Sequence, residues 1–138
     1  MEKEDIAFAI HDTILNFPKR IEKPRVEFLS KKRFSKMLDL MDLNKHVDKT
    51  PCFTVQTHDG KHTLYACEEI IQQLTKNISD EKKKKFVEAI TLHELLHIWN
   101  HLHVHTADEA TFSEQLVAKE LKNFYPSHFI VLEEYKRR

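Results

Sequence analysis

The stretch Thr91-Leu92-His93-Glu94-Leu95-Leu96-His97-Ile98-Trp99 sets two histidines four residues apart, with a glutamate beside the first, inside an otherwise apolar run. A helix turns about 100° per residue, so His93 and His97 stand one above the other and aim two imidazole nitrogens at a common point. Glu94 is displaced around the helix, within reach of a group held by the histidines without competing as a ligand. The pattern His-Glu-x-x-His is how one helix offers two nitrogen ligands to zinc together with a general base for hydrolysis. Leu92, Leu95, Leu96, Ile98 and Trp99 mark a core helix, and polar groups carried into a core need partners. The plainer alternative is a pair of core histidines hydrogen-bonded to their neighbours.

Working outward, Phe86, Val87 and Ile90 extend the apolar surface backward, and Ser79 or Asp80 is the natural N-cap, so the spacing predicts a helix from about Asp80 to about His101. Lys82 to Lys85 is a solvated face within it rather than a nucleic-acid contact. Phe112, Leu116, Val117, Leu121 and Phe124 repeat at helical spacing up to Pro126, and Ser127 to Arg138 reads as a short helix or an extended tail. Upstream, Ile6, Ala9, Ile10, Thr13, Ile14 and Phe17 predict a first helix stopped by Pro18. Arg25 to Leu29 alternates as a strand; Ser30 caps a second helix carrying Phe34, Met37, Leu38 and Met41; Glu68 to Leu74 is a short helical connector.

Between them lies a hairpin signal. Phe53 and Val55 alternate with polar residues, Asp59-Gly60 supplies a tight turn, and Leu64 and Ala66 alternate on the far side. With Asp59 and Gly60 as a two-residue loop, Val55 faces Leu64, Phe53 faces Ala66, and Cys52 faces Cys67. That pairing offers a redox-sensitive staple, although with no secretion signal two free thiols are the simpler expectation. His58 and His62 flank the turn, and without a CxxC spacing the cysteines are poor zinc ligands.

The whole chain, residues 1–138, suits one domain of 138 residues, with 41% hydrophobic and 32% charged residues. A formal net charge of zero argues against nucleic acid or an anionic membrane as partners. The charged start Met1-Glu2-Lys3-Glu4-Asp5 is unlike a secretory signal, no run spans a membrane, and the expected location is cytoplasmic.

A hydrolytic zinc site takes three protein ligands and an open position. Glu114, in Phe112-Ser113-Glu114-Gln115-Leu116-Val117-Ala118, shares an inward stripe with Val117, Ala118 and Leu121, and a carboxylate there demands a cation or donors. His103, ten residues after His93, competes for the role, as does Glu109; Glu120 reads as solvated. His101 falls roughly 12 Å along the helix from His93, too far for the same ion.

The chain resembles the zincin metallopeptidases of the gluzincin type, on His93 to His97 and the helix around Glu114, and its size and element order resemble the minimal soluble scaffolds called minigluzincins. The resemblance implies an α+β, zincin-like fold: a small mixed sheet with a hairpin, the HExxH helix, then the glutamate helix. It implies one catalytic zinc on His93, His97 and Glu114, with Glu94 as base and acid, acting as an endopeptidase on a peptide or protein substrate, the chain being monomer or homodimer. By the same resemblance His62 to Cys67 borders the cleft and pairs with an extended substrate. Where many gluzincins carry an Asp four residues after the ligand Glu, this chain has Ala118. His103, His105, Tyr125 and His128 are candidates for stabilising the transition state. His93-Glu94-x-x-His97-x-x-Asn100-x-x-His103 also resembles the metzincin signature, with Asn100 in the place of a left-handed glycine. A latent form, with residues 127–138 over the cleft, is the alternative reading.

Overall fold

Apolar residues at helical spacing and a proline without an N–H shape the first element: α1 (Lys3–Leu15) buries Ile6, Ala9, Ile10 and Ile14, and Phe17 tucks in just beyond it. The computed structural model describes residues 1–40, 51–57, 59–100 and 107–136, the side chains of 107–110 excepted. Among these residues the chain is α+β, with six helices and a three-stranded mixed sheet. After α1 come β1 (Arg25–Phe28), α2 (Lys31–Leu40), β2 (Cys52–Gln56), β3 (His62–Ala66), α3 (Glu68–Leu74), α4 (Asp80–Trp99), α5 (Ala107–Phe124) and α6 (Pro126–Lys136). Met41, His58, His101, His103 and His105, and the side chain of Glu109, lie outside the described residues.

The sheet order is β1-β3-β2, with β1 parallel and β2 antiparallel to β3. Strand β3 is therefore central. A neighbour already occupies each of its edges, so it cannot take the further strand expected of His62 to Cys67; β2 and β1 are the edges of the described sheet.

The hairpin exists, but its loop is one residue longer than Asp59-Gly60. Thr57 N–H donates to Lys61 O at 2.8 Å and Gly60 N–H to Thr57 O at 3.0 Å, while Gly60 takes φ 83°. This is a tight turn followed by a left-handed glycine, the usual three-residue hairpin closure. The Asp59 carboxylate accepts from the Thr57 hydroxyl and from Lys61 N–H, and these bonds hold it below its ordinary value. The longer loop shifts the register by one: Cys52 faces Ala66, Phe53 faces Tyr65, Thr54 faces Leu64 and Val55 faces Thr63.

A shift of one exchanges the two faces of a strand. Phe53, Val55, Tyr65 and Cys67 pack with Phe34 and Leu38 of α2 on one side of the sheet. Val26, Phe28, Cys52, Leu64 and Ala66 join the larger core on the other side, with α1, α3 and α4. The cysteines thus occupy opposite faces as buried free thiols, and the cross-strand staple is excluded.

Helix α4 is the axis of that larger core. Ser79 caps it by accepting from Lys82 N–H at 3.3 Å, and Asp80 and Glu81 sit at the positive end of its dipole. Phe86, Val87, Ala89, Ile90, Leu92, Leu95, Leu96 and Ile98 are buried around it. It ends at Trp99, earlier than expected, because the Asn100 side chain caps the Leu96 carbonyl at 2.7 Å and also donates to Glu120 at 3.0 Å. Glu120 is thus engaged rather than simply solvated. Asn100 has φ −85° and ψ 0°, so the left-handed turn of the metzincin comparison is absent.

Helix α5 runs farther than its apolar spacing suggested and buries Val117 and Leu121, whereas Phe112 and Phe124 are 62% and 51% exposed. Lys19 places its ammonium 4.7 Å from the Trp99 ring and 4.6 Å from the Phe124 ring, tying the segment after α1 to the ends of α4 and α5. Pro126 opens α6 at the one helical position where a missing N–H costs nothing. Leu132 of α6 is buried, Tyr135 meets Phe86 edge-on, and His128 meets Glu88 at 3.3 Å, so α6 packs on the half of α4 that precedes the histidines. No helix among the described residues is long and apolar enough to cross a membrane.

Gly60 has open space where a Cβ would stand, the nearest atom being 3.9 Å away, so only its backbone angle resists substitution. Gly60→Ala is expected to lower the unfolding free energy by about 1 kcal/mol in denaturant titration, and Gly60→Asn by less. Equal stability of Gly60→Ala and the parent chain would contradict the turn.

Candidate metal centre

Two helices build the centre. From α4, the spacing of four stacks His93 and His97 with ring centroids 4.7 Å apart. From α5, Glu114 reaches across and meets both rings: Oε2 lies 3.1 Å from His93 Nε2, and Oε1 lies 3.1 Å from His97 Nε2. The expected apolar-face position of Glu114 is really a rim position. Its side chain is 48% exposed, while Val117 and Leu121 on the same stripe are fully buried, and the histidine side chains are 17% and 16% exposed. The cluster is therefore reached by solvent from the Glu114 side.

Because each Nε2 faces a carboxylate oxygen, each carries a proton and donates it. The bonds and positive charge of His93 and His97 outweigh the cost of burial and hold Glu114 well below the usual carboxylate range. Burial alone would push His97 down; the Glu114 hydrogen bond and the charges of Glu94 and Glu114 overcome it and raise this imidazole. A raised histidine adds stability below its unfolded value that is lost as pH rises through the folded one. A lowered carboxylate adds stability above its unfolded value that is lost as pH falls through the folded one. The contact is thus firmest between the ordinary carboxylate and ordinary histidine ranges, and it is lost as pH rises through the raised value of His97 or falls through the lowered one of Glu114.

Ser113, absent from the sequence-based candidates, completes the surroundings of His97. Its hydroxyl lies 3.0 Å from His97 Nδ1 and the residue is only 2% exposed. A hydroxyl both donates and accepts, so Ser113 fits each state of the ring: it accepts from Nδ1 when the imidazole is charged or when Nε2 is needed for an ion, and donates to Nδ1 when only Nε2 holds a proton. The available signal was its position four residues before Val117, which puts a small polar group on a packed face.

Glu94 comes from the same helix turn and is 7% exposed. One ligand atom each from His93, Glu94 and His97 lies within 4.8 Å of the others. Glu94, however, is held by Thr54 Oγ1 at 2.8 Å, whereas Glu114 touches both imidazoles, so the direct contacts favour Glu114 as third donor. The donor set fits zinc. Two imidazoles and a carboxylate are donors of the kind zinc takes, and each Glu114 oxygen already stands beside one ring nitrogen. Tyr125 and His128 meet edge-on, and His128 is engaged by Glu88 rather than by this cluster.

In the metal-free protein Glu114→Gln removes two of the influences that raise His97, and its imidazole pKa should fall when followed by NMR titration; an unchanged value would show that the contact is not made in solution. Searches against known protein families, curated proteins and solved structures find no match to this chain.

Proposed function

We propose that this chain is a zinc-dependent peptidase of the gluzincin kind, with His93, His97 and Glu114 holding the ion and Glu94 as general base and acid. The convergence of Glu114 on both ring nitrogens of the His-x-x-x-His pair carries the reading. Two imidazoles and one carboxylate satisfy a hydrolytic zinc while leaving a position for the reactants. The order hairpin, histidine helix, glutamate helix supports the zincin-like comparison, and the α+β architecture is consistent with it.

Zinc, when bound, supplies a Lewis acid that polarises the scissile carbonyl and acidifies water. The remaining work falls to the chain. Glu94, shielded from bulk solvent yet next to both histidines, accepts a proton from the attacking water and returns it to the leaving nitrogen. Ser113 keeps His97 oriented. Among the described residues β2 is an edge to which a substrate backbone could add: the Thr57–Lys61 and Pro51–Cys67 bonds set the hairpin alternation, which turns the main-chain N–H and C=O of Thr54 away from β3.

Untagged protein should carry close to one zinc per chain by elemental analysis and cleave a fluorogenic oligopeptide mixture. Glu94→Gln is expected to keep the zinc and lose about 100-fold or more in turnover. Full activity in that variant, or a parent chain that retains no divalent ion, would sink the assignment. Ser113→Ala should weaken zinc about tenfold in a chelator competition without unfolding the chain; unchanged affinity would remove Ser113 from the site.

A further inference from the structure

A carboxylate taken out of water needs donors, and Glu94 draws one from outside its own helix. Thr54 Oγ1 lies 2.8 Å from Glu94 Oε2, and opposite a carboxylate the hydroxyl must donate. One helical turn earlier the same strand face is tied to α4 again, where the Cys52 thiol donates to the Ile90 carbonyl with S···O 3.7 Å. Two residues along a strand advance about 6.7 Å. Four residues along a helix advance about 6 Å. β2 and α4 therefore run in step here, and Thr54 cannot slide along the helix without losing both contacts. Burial, and then the charge of Glu94, push the Cys52 thiol up, so it stays a neutral donor beside the acid.

We propose that Thr54 is a positioning residue for Glu94: its hydroxyl pins one carboxylate oxygen from the sheet side and so holds the carboxylate beside His93 and His97, whose ligand atoms lie within 4.8 Å of one of its own. The inference rests on the peptidase reading but concerns a residue outside the zinc ligands and the base. It depends on the three-residue hairpin loop, since a two-residue loop would turn Thr54 to the α2 face and bring Val55 against α4.

The test uses the full-length, zinc-loaded protein and acetohydroxamate, which binds zinc as its anion and passes its hydroxyl proton to a neighbouring base. Calorimetric titration would compare the parent with Thr54→Val, Thr54→Ser, Glu94→Gln and the Thr54→Val/Glu94→Gln pair, each checked for zinc content. Thr54→Val is expected to weaken acetohydroxamate about tenfold, the net value of one hydrogen bond to a charged group. Thr54→Ser should restore it to within about twofold, and Thr54→Val should add nothing in the Glu94→Gln background. On peptide, the same Val variant should lower kcat with KM unchanged. Parent-like binding by Thr54→Val alongside a weakened Glu94→Gln overturns the role of Thr54 and leaves the peptidase reading standing. If Thr54→Ser binds as poorly as Thr54→Val, the effect belongs to strand packing and the proposal falls. Parent-like binding by Glu94→Gln itself overturns both.

Discussion

A helix packed on several sides cannot leave its polar side chains to water, and this constraint organises the molecule around α4. Thr91 solves it locally by returning its hydroxyl to the Val87 carbonyl at 2.8 Å. His93, Glu94, His97 and Asn100 look outward instead, and each finds a group on another element: Glu114, Ser113 and Glu120 on α5, Thr54 on β2. Two neighbours are thereby locked in register with one helix. An unmatched buried group costs roughly 1–3 kcal/mol, so the polar contacts act against misalignment more than they add stability.

The same arrangement explains what was legible in the residues beforehand. Periodicity located α1, α4 and α5, because the burial of Ile10, Leu95 and Val117 follows directly from their spacing. The shared face of His93 and His97 was readable because helix geometry fixes residues four apart, whereas the contact of Glu114 with both rings depends on how α5 lies against α4. The hairpin register was not, since one residue of loop length decides it and Asp-Gly suits both a two-residue and a three-residue turn. Thr54 stayed invisible for that reason, its facing α4 being a property of the register. Ser113 and the exposed Phe112 and Phe124 depend on how far α5 is rotated against α4, which apolar spacing defines only coarsely.

Under the zinc reading proposed above, Glu114 occupies a place where protons and a divalent ion would compete. In the metal-free chain its two oxygens accept from two protonated nitrogens, and those protons must leave before the nitrogens can coordinate. The carboxylate is thus a stand-in partner that keeps the rings close together in advance of an ion. Such preorganisation reduces the ordering that ion capture would otherwise require. The half-exposed setting of Glu114 would give such an ion a way in.

The two thiols lie on opposite sides of the sheet, each sealed in a separate apolar layer. Oxidising surroundings therefore have nothing to join, because a bond between them would require one strand to be turned over. The fold draws no covalent staple from its cysteines, and what holds its two layers together is packing and hydrogen bonding.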